Sequence, residues 1–149
     1  MLHLRVEFRI PRGPLRRIPC KLLLAFAILL FTLPAFALEE WIEPITGMKF
    51  VGVHGGGFQI GDQFGDGKNR RQITIKPFRL GATEVTQGQW KAIMDSNPSK
   101  FKGDDRPVEQ VSWVDIQRFI KKFNARHGGK YRFRLPTESE WEYACREGG

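Results

Sequence analysis

Cysteine and histidine are scarce in this 149-residue chain: Cys20 and Cys145 are its two thiols, and His3, His54 and His127 its three imidazoles. No two histidines stand four apart and none forms an H-x-E motif, so the spacing writes neither a zinc nor a non-haem iron site. A phosphate loop is missing too. Gly67-Lys68 lies in a glycine-rich stretch, but Asp62 stands where the motif's first glycine belongs and Asn69 where a hydroxyl would hold magnesium. Asp62 and Asp66 do not make a calcium loop, because Phe64 and Ile73 fill positions that need oxygen ligands. No Ser/His/Asp arrangement is suggested; Ser112, Thr137 and Ser139 read as caps or exposed helix residues. Internal repeats are absent.

Acidic residues are outnumbered 16 to 24, giving a net charge of +8, but the excess is unevenly spread. Residues 1–37 carry Arg5, Arg9, Arg12, Arg16, Arg17 and Lys21 against the single acid Glu7, five of the eight net charges. The apolar run Leu22–Leu33 and then Pro34-Ala35-Phe36-Ala37 follow. This pattern predicts a signal peptide over 1–37, cut after Ala37 at an A-x-A site, and an exported product: periplasmic or secreted, or in the ER lumen of a eukaryote. The alternative is a membrane anchor, since Leu22 to Leu38 is uncharged and just long enough to span if uncleaved. The long basic lead also leaves open a start site placed too far upstream. Cys20 precedes the apolar run and so is not placed as a lipoprotein cysteine. Residues 38–149 keep a charge of only about +3 and no basic cluster interleaved with aromatics, so no nucleic-acid partner is expected, and a membrane only through an uncleaved leader. Lys121-Lys122 and Arg70-Arg71 read as solvated pairs.

Beyond the leader the punctuation is dense. Met48–Val53 and Phe58–Ile60 read as short strands around Gly55-Gly56-Gly57, Gly61 to Arg71 as a loop, and Gln72–Lys76 as a half-buried strand ended or placed at an edge by Pro77. Thr86 with Gln89 forms a capping box for a helix that turns Trp90, Ile93 and Met94 inward and stops before Asn97-Pro98. Ser112 with Asp115 opens a longer one, with Trp113, Ile116, Phe119, Ile120 and Phe123 at helical spacing and Gly128-Gly129 at its end. Lys130–Phe133 returns as a strand. Leu135-Pro136 stops it, and Thr137 with Glu140 caps a third helix, which carries Trp141, Ala144 and Cys145 on one side and which Gly148 can close. Glu138 and Glu142 share a face of that helix, so the acids read as helix stabilisation and salt bridging, with Arg134 a bridging partner. Trp41, Trp90, Trp113 and Trp141 supply large apolar pieces. Short strands, three short helices and much irregular structure suit an α+β fold.

The segment Arg134-Leu135-Pro136-Thr137-Glu138-Ser139-Glu140-Trp141-Glu142-Tyr143-Ala144 resembles the R-L-P-T-E-x-E-W-E-Y-A signature of the formylglycine-generating enzyme, or sulfatase-modifying factor, family. Four more blocks agree in order: Gly47–Val51 with Gly56–Gly61, Glu84–Trp90, Asn97-Pro98-Ser99 with Phe101, and Pro107–Trp113. The resemblance covers roughly residues 44 to 149 and implies a lectin-like fold about twice this long, of which the chain carries the N-terminal half, apparently truncated. It marks Glu84, Trp90, Trp113, Arg134, Pro136, Thr137, Glu140 and Trp141 as scaffold, and His54 as a turn position where the family often has proline.

Active members of that family are copper-dependent oxidases that convert a cysteine in a sulfatase's C-x-P-x-R motif to formylglycine. Their copper cysteines and calcium ligands belong to the C-terminal half, so no catalytic, cofactor or metal residue is matched here, and the implied partners are a sulfatase polypeptide and that half. At Cys145 the resemblance implies a structural disulfide to the C-terminal half in some members; a small buried hydrophobe is the alternative. Three functions follow: the scaffold half of a formylglycine-generating oxidase, a non-catalytic binding or structural module of the cell envelope, or a relative of the domains used in sulfoxide synthesis. The export signal and missing histidine bundle disfavour the last.

Overall fold

The computed structural model describes residues 2–8, 40–60 and 71–146, so the apolar run Leu22–Leu33, the cut after Ala37, the cap Gly148 and the expected loop Gly61 to Arg71, save Arg71, which opens a strand, lie outside the described residues. The described elements run β1 (Arg5–Phe8), β2 (Trp41–Ile42), β3 (Lys49–Val53), β4 (Gly56–Ile60), β5 (Arg71–Ile75), β6 (Phe78–Gly81), α1 (Gln87–Met94), α2 (Trp113–Arg126), β7 (Tyr131–Arg134) and α3 (Glu138–Arg146). A five-stranded sheet has the order β2-β3-β6-β1-β7, every neighbour antiparallel, and β4 pairs with β5 in a separate hairpin.

Period-two alternation assigns the faces of the large sheet. Leu4 just ahead of β1, Val6 within it, Phe50 of β3 and Phe133 of β7 join Trp90 and Ile93 of α1 and Phe119 and Phe123 of α2 in one buried cluster. Within it the Trp90 and Phe119 rings stack at 4.8 Å, and the Phe123 and Phe133 centroids lie 4.3 Å apart. The opposite face carries Val53, Phe78 and Leu80, which pack with Phe58 of β4, Ile75 of β5 and Tyr143 of α3. The molecule is therefore a helix layer, a sheet, and a third layer of hairpin plus signature helix.

The first two of the three expected capping boxes open α1 and α2. Thr86 Oγ1 accepts from Gln89 N at 3.3 Å while Gln89 Oε1 accepts from Thr86 N at 3.0 Å, and Ser112 and Asp115 exchange the same pair of bonds. Asp95, left-handed at φ 60°, ends α1, and Gly128 and Gly129 at φ +57° and +81° turn the chain after α2.

Several elements differ from expectation. Two strands expected around the glycine turn belong to different sheets: β3 pairs with β6, and β4 with β5. Gly55 makes the crossing, where a Cβ would stand 2.3 Å from the Ile75 carbonyl oxygen. Residues 2–8, expected in the leader, supply an interior strand, whereas β5 ends before Pro77 as expected and β6 opens beyond it in the other sheet. Trp113 is not part of the apolar face of α2; it is 64% exposed, because it sits one turn before Ile116, beyond the stretch of helix that packs. Trp141 is 44% exposed, since α3 turns Glu140 and Tyr143 inward instead.

Candidate functional site

The family-like signature becomes a charge network across the face between β1, β7 and α3. Strand β7 delivers Arg134, and the Leu135-Pro136 turn sets the chain back so that the first turn of α3 presents Glu140 to it. The two pair in bidentate fashion, Arg134 Nη1 to Glu140 Oε2 at 2.9 Å and Nη2 to Oε1 at 2.8 Å. Glu140 Oε2 also accepts from Thr137 N at 2.9 Å, completing the third capping box with Glu140 N to Thr137 Oγ1. Arg5 of β1 closes on Glu140 Oε1 from the other side, and Glu7 meets Arg134 Nε at 3.3 Å and Arg5 at 3.5 Å.

Two arginines and two glutamates thus alternate with no net charge. Burial first, and the Arg134 charge second, pull the Arg5 guanidinium below its ordinary value, while Glu7 pushes it back; an arginine stays charged throughout. Glu140 is buried and meets four donors, which leaves little capacity for a proton-transfer or metal-ligating role. The Arg5 guanidinium also lies 4.8 Å over the Phe78 ring.

A second polar centre ties together the remaining sequence blocks. Gln87, buried in the first turn of α1, donates to Phe101 O at 2.9 Å and Pro107 O at 3.2 Å, and accepts from Asn97 Nδ2 at 2.9 Å and Gly103 N at 3.1 Å. Asn97 Oδ1 accepts from Ser99 N, Ser99 Oγ from Glu109 N, and Glu109 from Phe101 N. One glutamine therefore holds the irregular chain from 97 to 107, and the motifs Asn97-Pro98-Ser99 and Pro107-Val108-Glu109 are its frame.

The third centre was not legible as a site. Glu43, fully buried, caps its own turn through Ile45 N at 2.6 Å and Thr46 N at 2.7 Å, and stands 3.1 Å from His127 Nε2 without hydrogen-bond alignment. Burial lowers the His127 pKa, Glu43 pulls it back up, and Lys130 lowers it slightly. Phe123, Tyr131 and Phe133 wall the imidazole in.

Of the expected scaffold residues, Trp90 is in the core, Arg134, Pro136, Thr137 and Glu140 form the network and its turn, Glu84 precedes α1 half-buried, and Trp113 and Trp141 face outward. Cys145 is exposed and free, so the buried-hydrophobe alternative does not hold in this chain. Arg5 and Glu7 were missed because the basic lead read as a leader. The signal was there: Leu2-His3-Leu4-Arg5-Val6-Glu7-Phe8 alternates apolar and polar.

Among the described residues no group of three or more His, Cys, Asp or Glu is placed to hold a metal, and no helix is long and apolar enough to cross a membrane. The described residues do not fit a two-thiolate copper site, because Cys145 is their one thiol. A recess lined by Leu4, Met48, Phe50, Val85 and Gln89 offers a cavity of only about 10 Å³, room for a single water and not for a small-molecule ligand.

These features define a scaffold of the sulfatase-modifying type, and residues 40–149 match the sulfatase-modifying factor enzyme 1-like domain; the chain belongs to that family. It is 34% identical over 130 residues to the "Chaperone protein LppX" of Paenibacillus barcinonensis, an alignment covering 64% of this chain and 44% of the relative. Among solved structures it resembles Treponema denticola variable protein 1, with a TM-score of 0.59 at 23% identity over 73% of this chain and 57% of the other. That likeness supports the α+β, lectin-like fold that the signature implied. The chain spans less than half the length of the curated relative it matches.

Proposed function

We propose that this chain is a non-catalytic, polypeptide-binding module of the sulfatase-modifying factor family, exported to the cell envelope. The observation that carries the reading is how the signature is spent: Arg134, Thr137 and Glu140 satisfy one another and β1, while the single described thiol, Cys145, is exposed with no second thiol beside it. A formylglycine-forming site needs two thiolates, by the chemistry of the copper that family oxidases use. The name of the Paenibacillus relative, a chaperone, supports a polypeptide as ligand. Exposed Phe101, Trp113, Val114 and Trp141 offer aromatic and apolar contact of the kind that binding surfaces use.

Two measurements test this. With copper, oxygen and reductant supplied, a C-x-P-x-R peptide keeps its thiol by mass spectrometry; an aldehyde product that Cys145→Ser abolishes overturns the reading. Titration with an unfolded polypeptide quenches tryptophan fluorescence, and Trp113→Ser weakens binding at least about fivefold while the melting temperature holds. A second reading follows from the family match: the chain is the scaffold half of an oxidase acting on an exported sulfatase. Activity that appears only when a second half with its own cysteine pair is added supports that reading instead.

A further inference from the structure

An interior strand of the large sheet lies outside the family domain: β1 ends at Phe8, and the matched domain begins at residue 40. We propose that the groove between β6 and β7 is a strand-acceptor site. Residues 2–8 fill it here; once β1 is severed from the domain, it takes in trans an extended polypeptide segment with apolar residues at alternate positions and an Arg-x-Glu between them. The inference goes beyond the proposed function and stands for a binding module or an oxidase scaffold alike.

Three observations carry it. The backbone of residues 2–8 is held from both sides: Leu4 O accepts from Gly81 N at 2.8 Å and Leu2 O from Val85 N at 2.9 Å, and on the other edge residues 5–8 pair with 131–134. Without that strand two facing edges would be left with unpaired N–H and C=O groups, which any extended chain of the right pattern satisfies. The groove also selects side chains. Leu2, Leu4 and Val6 are 5%, 1% and 2% exposed, while on the other face Glu140 takes the arginine of the incoming strand and Arg134 its glutamate. A donor with these charges reversed would bury like against like. Finally, the occupant is joined to the domain through sequence that reads as a cleavable leader, so one cut converts an internal strand into a separate peptide.

The test uses the full chain with a protease site placed between Phe8 and Glu40, and a fluorescein-labelled peptide of residues 1–10 as probe. Before cutting, the chain takes up no label. After cutting it stays folded and binds one labelled peptide per chain, while Arg5→Glu and Val6→Glu peptides bind at least about tenfold more weakly. The proposal is overturned if the cut chain keeps its own strand and never takes up label, if it unfolds on losing β1, or if the Arg5→Glu peptide binds as well as the native one.

Discussion

Glu140 is the side chain on which most of the molecule's charge geometry turns. Glu140→Gln keeps the shape but leaves Arg5 and Arg134 to share the single carboxylate of Glu7, and should destabilise the chain by about 3 kcal/mol in urea denaturation. The aromatics separate by burial: Phe133→Ala should cost ~3–5 kcal/mol as a core truncation, Trp141→Ala only ~1–2 kcal/mol from its half-buried surface. Equal losses would mean that α3 is buried more deeply than described. His127 gives a pH signature. Its folded pKa lies below the unfolded value of about 6.5, so the unfolded state binds the extra proton first, and stability falls as pH drops from about 6.5 through the folded value. His127→Phe should flatten that part of the stability–pH curve; an unchanged slope would assign it to another group.

At the scale of elements, local chemistry was readable and pairing was not. Thr86, Ser112 and Thr137 each announce a helix because a hydroxyl followed three residues on by a carboxylate or amide closes two backbone donors, a rule that needs no knowledge of the rest of the fold. Ser112→Ala should accordingly lower stability by about 1 kcal/mol, measured as a shift in denaturant midpoint at constant slope. The strands obey no such local rule. Gly55-Gly56-Gly57 looks like a hairpin turn, yet Gly55 passes against the Ile75 carbonyl and β3 and β4 part company, because partners are fixed by contacts distant in sequence. Arg134 and Glu140 were legible as a bridge, six residues apart. Arg5, Glu7 and the Glu43–His127 pair were not, since each joins segments tens of residues or more apart.

For the whole molecule, β1 stands between β6 and β7 in the large sheet and gives Val6 to the core under the helices. Removing residues 1–37 should therefore leave a folded domain with a lower melting temperature, and adding a peptide of residues 1–10 should raise it again. An unchanged melting temperature in the shortened chain would show that β1 is dispensable. The same strand has a consequence for biosynthesis. Glu7 meets Arg134 across 127 residues of sequence, so residues 2–8 leave the ribosome long before the second of their two partner strands is made. Until β7 has emerged, residues 2–8 remain an unclaimed apolar ribbon beside a hydrophobic run, open to targeting machinery or to holdase chaperones. Whichever acts first, docking of β1 or capture at the tunnel exit, decides whether the chain closes on itself or is handed on.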